Sequence, residues 1–289
     1  MYEFTPREYL IYLSILANGE HFKMLEMLKN KQEAKVSEIR KAMQTVKSKV
    51  ITYLDPEYPS YLKRYDHPPL VLFYYGDISL INEENMNNSV AIIGTRKPTN
   101  YGLTATSEIV KGLYKDKVIV SGMAKGIDAQ AHWETIKNGG KTVAVLGSGI
   151  DNVYPVENTD LYFEIIKSGG LVISEHPNMV TPDAIHFPFR NRLIVQFSKG
   201  VLVTEAFEKS GTSITVGHAL RMNKDVMCIP YPYYIKESFC NELIYEGSFL
   251  VRDSEDVRLV LEGGRNIVFW LSWTSLTYKF RTKNTYRVS

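Results

Sequence analysis

Four short strings in this chain gather residue types that hold phosphate. Gly94-Thr95-Arg96 sets a guanidinium directly after a glycine and a hydroxyl, and Ser121-Gly122-Met123-Ala124-Lys125-Gly126 repeats the theme with Ser121, Gly122 and Lys125. Phe187-Pro188-Phe189-Arg190-Asn191-Arg192 offers Phe187, Arg190, Asn191 and Arg192, while Ser210-Gly211-Thr212-Ser213 opens a helical pattern with Ser210, Gly211, Thr212 and Ser213. Glycine lets a backbone approach an anion closely, and a helix start offers free N–H groups with a partial positive charge. Arginine forks onto phosphate oxygens. Several separated contact points suit a polymer backbone better than one mononucleotide.

Each string also has a plainer use. Any α/β unit needs glycine in its strand-to-helix turns, and Ser or Thr before a helix serves as a cap. Asp128 can brace its own helix, with His132 four positions on as a packed residue. Arg190 or Arg192 can pair with Glu175 or Glu205 inside the fold, although that use does not extend to both and to Arg96 together. Catalytic patterns are missing: there is no G-x-S-x-G elbow, no H-E-x-x-H pair and no full G-x-G-x-x-G. The expectation is a non-enzymatic protein with no cofactor and no metal.

The elements that must carry these strings follow from an alternation along the chain. Aliphatic runs at Val90–Ile93, Val118–Val120, Thr142–Leu146, Leu171–Ile173, Val201–Val203 and Val226–Ile229 read as strands. Helical patterns fall between them at Tyr101–Tyr114, Ile127–Lys137, Asn158–Lys167, Arg190–Phe197 and Thr212–Arg221. Near-continuous apolar strands alternating with helices predict α/β architecture, an extended Rossmann-like doubly wound and mostly parallel sheet. Every string above then falls at a strand's C-terminal end, where ligands gather in such sheets. A further strand is expected at Leu70–Tyr75. Residues 1–50 read as a small helical domain, 51–262 as the Rossmann-like domain, and 263–289 as a basic, aromatic tail without a clear period.

Of the 34 Lys and Arg, five fall in 263–289 with no acid beside them, which leaves 29 against 32 acids in residues 1–262. A nucleic-acid site must therefore be a local patch and not a general positive field. The two cysteines, Cys228 and Cys240, make neither a ligand set nor a disulfide framework, and no apolar run reaches the length of a membrane span. A cytoplasmic protein with no membrane partner is expected.

Taken in order, the strings resemble the DprA/Smf family of DNA-processing proteins. The likeness continues through Tyr101-Gly102, Ile127-Asp128, Ala131-His132, Ala144–Asp151, Tyr154-Pro155, Asn158, Ser174-Glu175 and Glu205-Ala206, with family spacing across about 170 residues. The resemblance implies a single-stranded DNA-binding protein that protects incoming DNA and loads RecA during natural transformation and recombination, acting as a homodimer. It implies that Arg96 and the loop of Phe187, Arg190, Asn191 and Arg192 line the DNA site, with Phe187 stacking on a base and Lys125 on a phosphate. It places the dimer interface near Leu243, Phe249 and Leu250. Thr95 stands for the usual serine, Tyr231 for the glycine after Pro230, and Phe239 for a glycine before a helix; the tail matches nothing in the family.

Two other readings compete. Nucleotide-processing enzymes of the lysine-decarboxylase-like group share the architecture, but their paired glycines and following glutamate are missing here, leaving Glu205 as the remaining acid. An interaction scaffold that has lost its DNA site would bind no oligonucleotide at all.

Overall fold

The computed structural model describes residues 4–207, 211–232, 234–235 and 237–263. Three helices, α1 (Pro6–Leu16), α2 (His21–Lys29) and α3 (Val36–Thr45), precede strands β1 (Lys49–Thr52) and β2 (Val71–Gly76). After α4 (Glu83–Asn87) the chain alternates through β3 (Ser89–Gly94), α5 (Asn100–Leu113), β4 (Val118–Ser121), α6 (Ile127–Lys137), β5 (Thr142–Val145) and α7 (Thr159–Lys167). It continues with β6 (Leu171–Ser174), α8 (His186–Gln196), β7 (Gly200–Glu205), α9 (Thr212–Arg221), β8 (Val226–Cys228), α10 (Phe239–Tyr245), β9 (Phe249–Leu250) and α11 (Ser254–Leu261).

The strands form one sheet in the order β1-β2-β6-β5-β4-β3-β7-β8-β9. β1 pairs antiparallel with β2 at one margin, β2 pairs antiparallel with β6, and the other pairings are parallel. The expected doubly wound, mostly parallel sheet is thus what the chain forms. Its strands are apolar on both sides because both faces are covered. Ala91 and Ile93 face one core with Leu193, Phe197 and Val216, whereas Val90 and Ile92 face the other with Ile109, Ile127 and Ala131. β3 lies between β4 and β7, so the winding direction reverses there and opens a crevice beyond the strand ends.

The N-terminal helices share a core with the sheet: Leu10, Ile11 and Met24 pack with Val71, Phe73, Ala144 and Val172. The Arg7 guanidinium donates to Asp55 at 2.8 Å and to the Val50 carbonyl at 2.8 Å, fastening α1 to the β1 margin. Helix α8 begins at His186, four residues before the predicted start at Arg190. Pro188 falls in its first turn, where a missing N–H breaks no intrahelical bond. Of the expected tail, residues 264–289 lie outside the described residues. Among the described residues no helix is long and apolar enough to cross a membrane, and no cluster of three or more His, Cys, Asp or Glu could hold a metal ion.

Candidate functional site

At the reversal point a cleft of about 780 Å³ opens between the ends of β3 and β7, the start of α8 and the start of α9. Gly94, Thr95, Arg96, Phe187, Arg190, Asn191, Gly211 and Thr212, eight of the expected contacts, line it.

Gly94 ends β3, where a Cβ would lie 2.6 Å from both the Glu205 carbonyl oxygen and Ile127 Cγ1; only glycine lets β7 and α6 close on the turn. The turn exposes Arg96 and Lys97. Arg96 swings over the Phe187 ring at 5.9 Å from its centroid, and Arg190 approaches the same ring at 5.8 Å. Tyr154 packs against Phe187 with centroids 5.5 Å apart and planes tilted by 42°. Phe187 sits close over the β5 end because residue 147 is glycine: a Cβ there would meet the ring at 2.7 Å. The cleft therefore has an aromatic wall flanked by guanidinium groups, a surface suited to stacking with cation–π support. Opposite it, Gly211, Thr212 and Thr215 bring the N-terminal end of α9 to the rim, with its partial positive charge.

Arg190 forms the floor. Its Nη1 donates to the Gly122 carbonyl at 2.8 Å and to the Val145 carbonyl, and Nε donates to Asn191 Oδ1 at 3.1 Å. Asp128 accepts the Gly122 N–H at 3.2 Å beside it. Burial pushes the Asp128 carboxyl upward against the pull of Arg190, and burial lowers Arg190 to about 10. Arg190 so placed braces the ends of β4 and β5 from α8 and has its fork largely occupied.

The remaining expected contacts lie elsewhere. Arg192 is 2% exposed and faces away from the cleft, its Nη1 and Nη2 donating to Glu175 at 2.6 and 2.7 Å while its guanidinium stacks on Phe189 at 3.8 Å. The pairing with Glu175 foreseen for one of the two arginines belongs to this one, so Arg192 offers no fork to a ligand. Ser121 is buried, donating to the Ile92 carbonyl at 2.6 Å, and Gly122 is buried behind Arg190. Lys125 is exposed outside the cleft and ion-paired with Glu157 at 2.5 Å. Ser213 is exposed on α9 but does not line the cleft, and Ser210 lies outside the described residues. At the far margin Leu243 is buried in its own core, which removes it from any docking face; Phe249 is half-buried and Leu250 is 47% exposed.

Sequence reasoning missed Lys97, Tyr154 and Phe207 as lining residues. Lys97 carried a signal, since it adjoins Arg96 in the same turn. Tyr154 belongs to the motif run after β5, but only the fold brings it against Phe187. Glu205, the acid on which the enzyme reading depends, is fully buried, and its carboxylate already accepts hydrogen bonds from Thr99 and Tyr231.

Comparison with known proteins bears on the fold and the family. A family profile described as DNA recombination-mediator protein A matches residues 49–262. The DNA processing protein DprA of Streptococcus pneumoniae is 40% identical over 205 residues, 71% of each chain, and Protein Smf of Synechocystis is 41% identical over 199 residues. That second match covers 68% of this chain but spans only half the length of the Synechocystis protein. The X-ray structure of the Streptococcus pneumoniae protein superposes with a TM-score of 0.72 at 34% identity, covering 86% of this chain and 95% of that one. DNA processing protein A from Helicobacter pylori, solved to explain its single-stranded DNA binding mode, superposes with a TM-score of 0.63 at 28% identity over 75% of this chain and 96% of that one. With the fold and the ordered strings in agreement with these matches, the chain belongs to the DNA recombination-mediator protein A family, the DprA/Smf proteins.

Proposed function

We propose that the cleft binds single-stranded DNA and that the protein is a cytoplasmic, non-catalytic recombination mediator. The observation that carries this reading is the meeting of two exposed cations, Arg96 and Lys97, with the Phe187–Tyr154 wall and the α9 N-terminus in one open crevice. Cations suit the backbone, and aromatic faces accept any base, the combination used by sequence-tolerant single-strand binders. The related Helicobacter pylori protein, whose single-stranded DNA binding mode is known, supports the same ligand.

Gly94, Thr95, Arg96, Lys97, Phe187, Asn191, Gly211 and Thr212 are the proposed DNA-facing residues. Arg190 supports them from the floor, and Ser121, Gly122 and Arg192 act only through the scaffold. Lys125, paired with Glu157 outside the cleft, is left out of the proposed phosphate contacts. Delivery of the bound strand to RecA and assembly as a homodimer through Phe249 and Leu250 complete the proposal. The enclosure of Glu205 counts against the nucleotide-processing alternative.

Fluorescence anisotropy with a labelled oligothymidine tests the site. Arg96→Ala is expected to weaken binding by about 1–3 kcal/mol, the loss of a charge-assisted hydrogen bond. Unchanged affinity in that variant removes the site. Release of free base from a nucleoside monophosphate would restore the enzymatic reading.

A further inference from the structure

Both ends of the turn that carries Arg96 are tied to one residue. The Glu205 carbonyl accepts the Thr95 N–H at 2.8 Å, and the Glu205 carboxylate accepts the Thr99 N–H at 2.9 Å and the Thr99 hydroxyl at 3.0 Å. Arg96, Lys97 and Pro98 bridge the two attachments. The first is main chain and follows from strand pairing; the second needs the Glu205 side chain held in one position. Gly102 makes room for it, since a Cβ there would lie 1.9 Å from Glu205 Oε2.

Tyr231 holds it. The Tyr231 hydroxyl donates to Glu205 Oε1 and lies 3.1 Å from Thr99 Oγ1. Its backbone is gripped from both sides by Asn241, whose Oδ1 accepts the Tyr231 N–H at 2.9 Å and whose Nδ2 donates to the Tyr231 carbonyl at 3.1 Å. The ring meets Tyr101 edge-on at 4.9 Å and Phe207 at 6.1 Å. Burial, followed by the hydrogen bond to Glu205, raises the phenol to about 12, so it remains a donor at neutral pH. Tyr231 itself does not line the cleft.

We propose that Tyr231 is a positioning residue for Arg96. It latches the Glu205 carboxylate, the carboxylate closes the Arg96–Pro98 turn, and the closed turn presents Arg96 beside Phe187. Fixing a cationic turn before the ligand arrives removes an ordering cost from binding. The effect on affinity rests on the cleft being a single-stranded DNA site; the ordering of the turn does not.

Tyr231→Phe keeps the ring and deletes one O–H, and Glu205→Gln keeps the shape while weakening the acceptor. Hydrogen exchange followed by mass spectrometry should show faster exchange in peptides covering 95–103 for both variants without any ligand. Oligothymidine affinity should fall roughly three- to tenfold in Tyr231→Phe, the worth of a single hydrogen bond, and this penalty should vanish when Arg96 is already Ala. Unaltered exchange in that segment, or a penalty of equal size with and without Arg96, overturns the latch. If the wild type binds no oligonucleotide, the DNA reading fails while the exchange result still decides the latch.

Discussion

Arg190 reaches the cleft floor, while Arg192, two positions further along α8, turns into the buried pair with Glu175. Two steps of a helix rotate by about 200°, so neighbouring arginines of one motif are sent to opposite environments. The pair is a matter of stability. Arg192→Ala strands a buried carboxylate and should destabilise the fold by about 3–5 kcal/mol, read from urea denaturation, whereas Arg192→Met with Glu175→Leu should recover much of that loss. That one arginine of the motif would be used internally was readable from the sequence. Which one was not, because that depends on where the helix begins and hence on which side each residue faces. Tyr231 illustrates the opposite limit: a departure from the family pattern in sequence, it acquires meaning only when the fold brings Glu205 and Thr99 to its hydroxyl.

Helices α6 and α9 begin and end where the apolar period placed them, and strands β3 to β8 fall on the predicted runs, whereas the two-residue β9 was not among them. These elements were readable because burial on both faces of the sheet leaves a strong pattern in each strand. The start of α8 was not, since Pro188 reads as a boundary in sequence and is harmless in a first helical turn. The charged run from Lys29 to Lys49 contains α3, which packs Ile39 with Tyr12 and Leu13 of α1. Ile39 is the one residue of the ten in α3 that is fully buried, with Ala42 and Met43 packed beside it against α1. The contact between β5 and α8 yields a prediction of its own. Gly147→Ala drives a methyl into the Phe187 ring and should weaken single-strand binding while leaving the salt dependence of binding unchanged, because no cation is moved; anisotropy at several salt concentrations separates the two effects.

The N-terminal helices, the sheet and the helices on both faces share buried histidines that are held neutral. Burial lowers His132 to about 3 and His21 to about 4 from the usual 6.5, and it also lowers His176. A histidine with a depressed folded value contributes stability that is complete above 6.5 and is lost as pH falls toward the folded value. Asp116, held down by its hydrogen bond from Arg258, and Asp256, held down by that from Arg252, add losses of the same sign at lower pH, while Asp128, raised by burial, opposes them. The urea midpoint should therefore fall steadily from pH 6.5 to pH 4, and a flat profile over that window would contradict the buried-histidine assignment.

Charge across the chain bears on the ligand in the same way: residues 1–262 carry more acids than bases, so a nucleic-acid site must be a local patch such as the proposed cleft. With Arg190 braced by carbonyls, Arg192 paired with Glu175 and Lys125 paired with Glu157, the cleft presents Arg96 and Lys97 as its exposed cations among the described residues. Two phosphate contacts on a single strand give a log–log salt slope of about −1.4, and Arg96→Ala should halve it to about −0.7. The decisive measurement is that slope, taken by anisotropy with a single-stranded oligothymidine for the wild type and for Arg96→Ala. A shallow slope that halves in the variant is the predicted result; a slope near −3 or steeper, or one that Arg96→Ala leaves untouched, would place the DNA on some other surface.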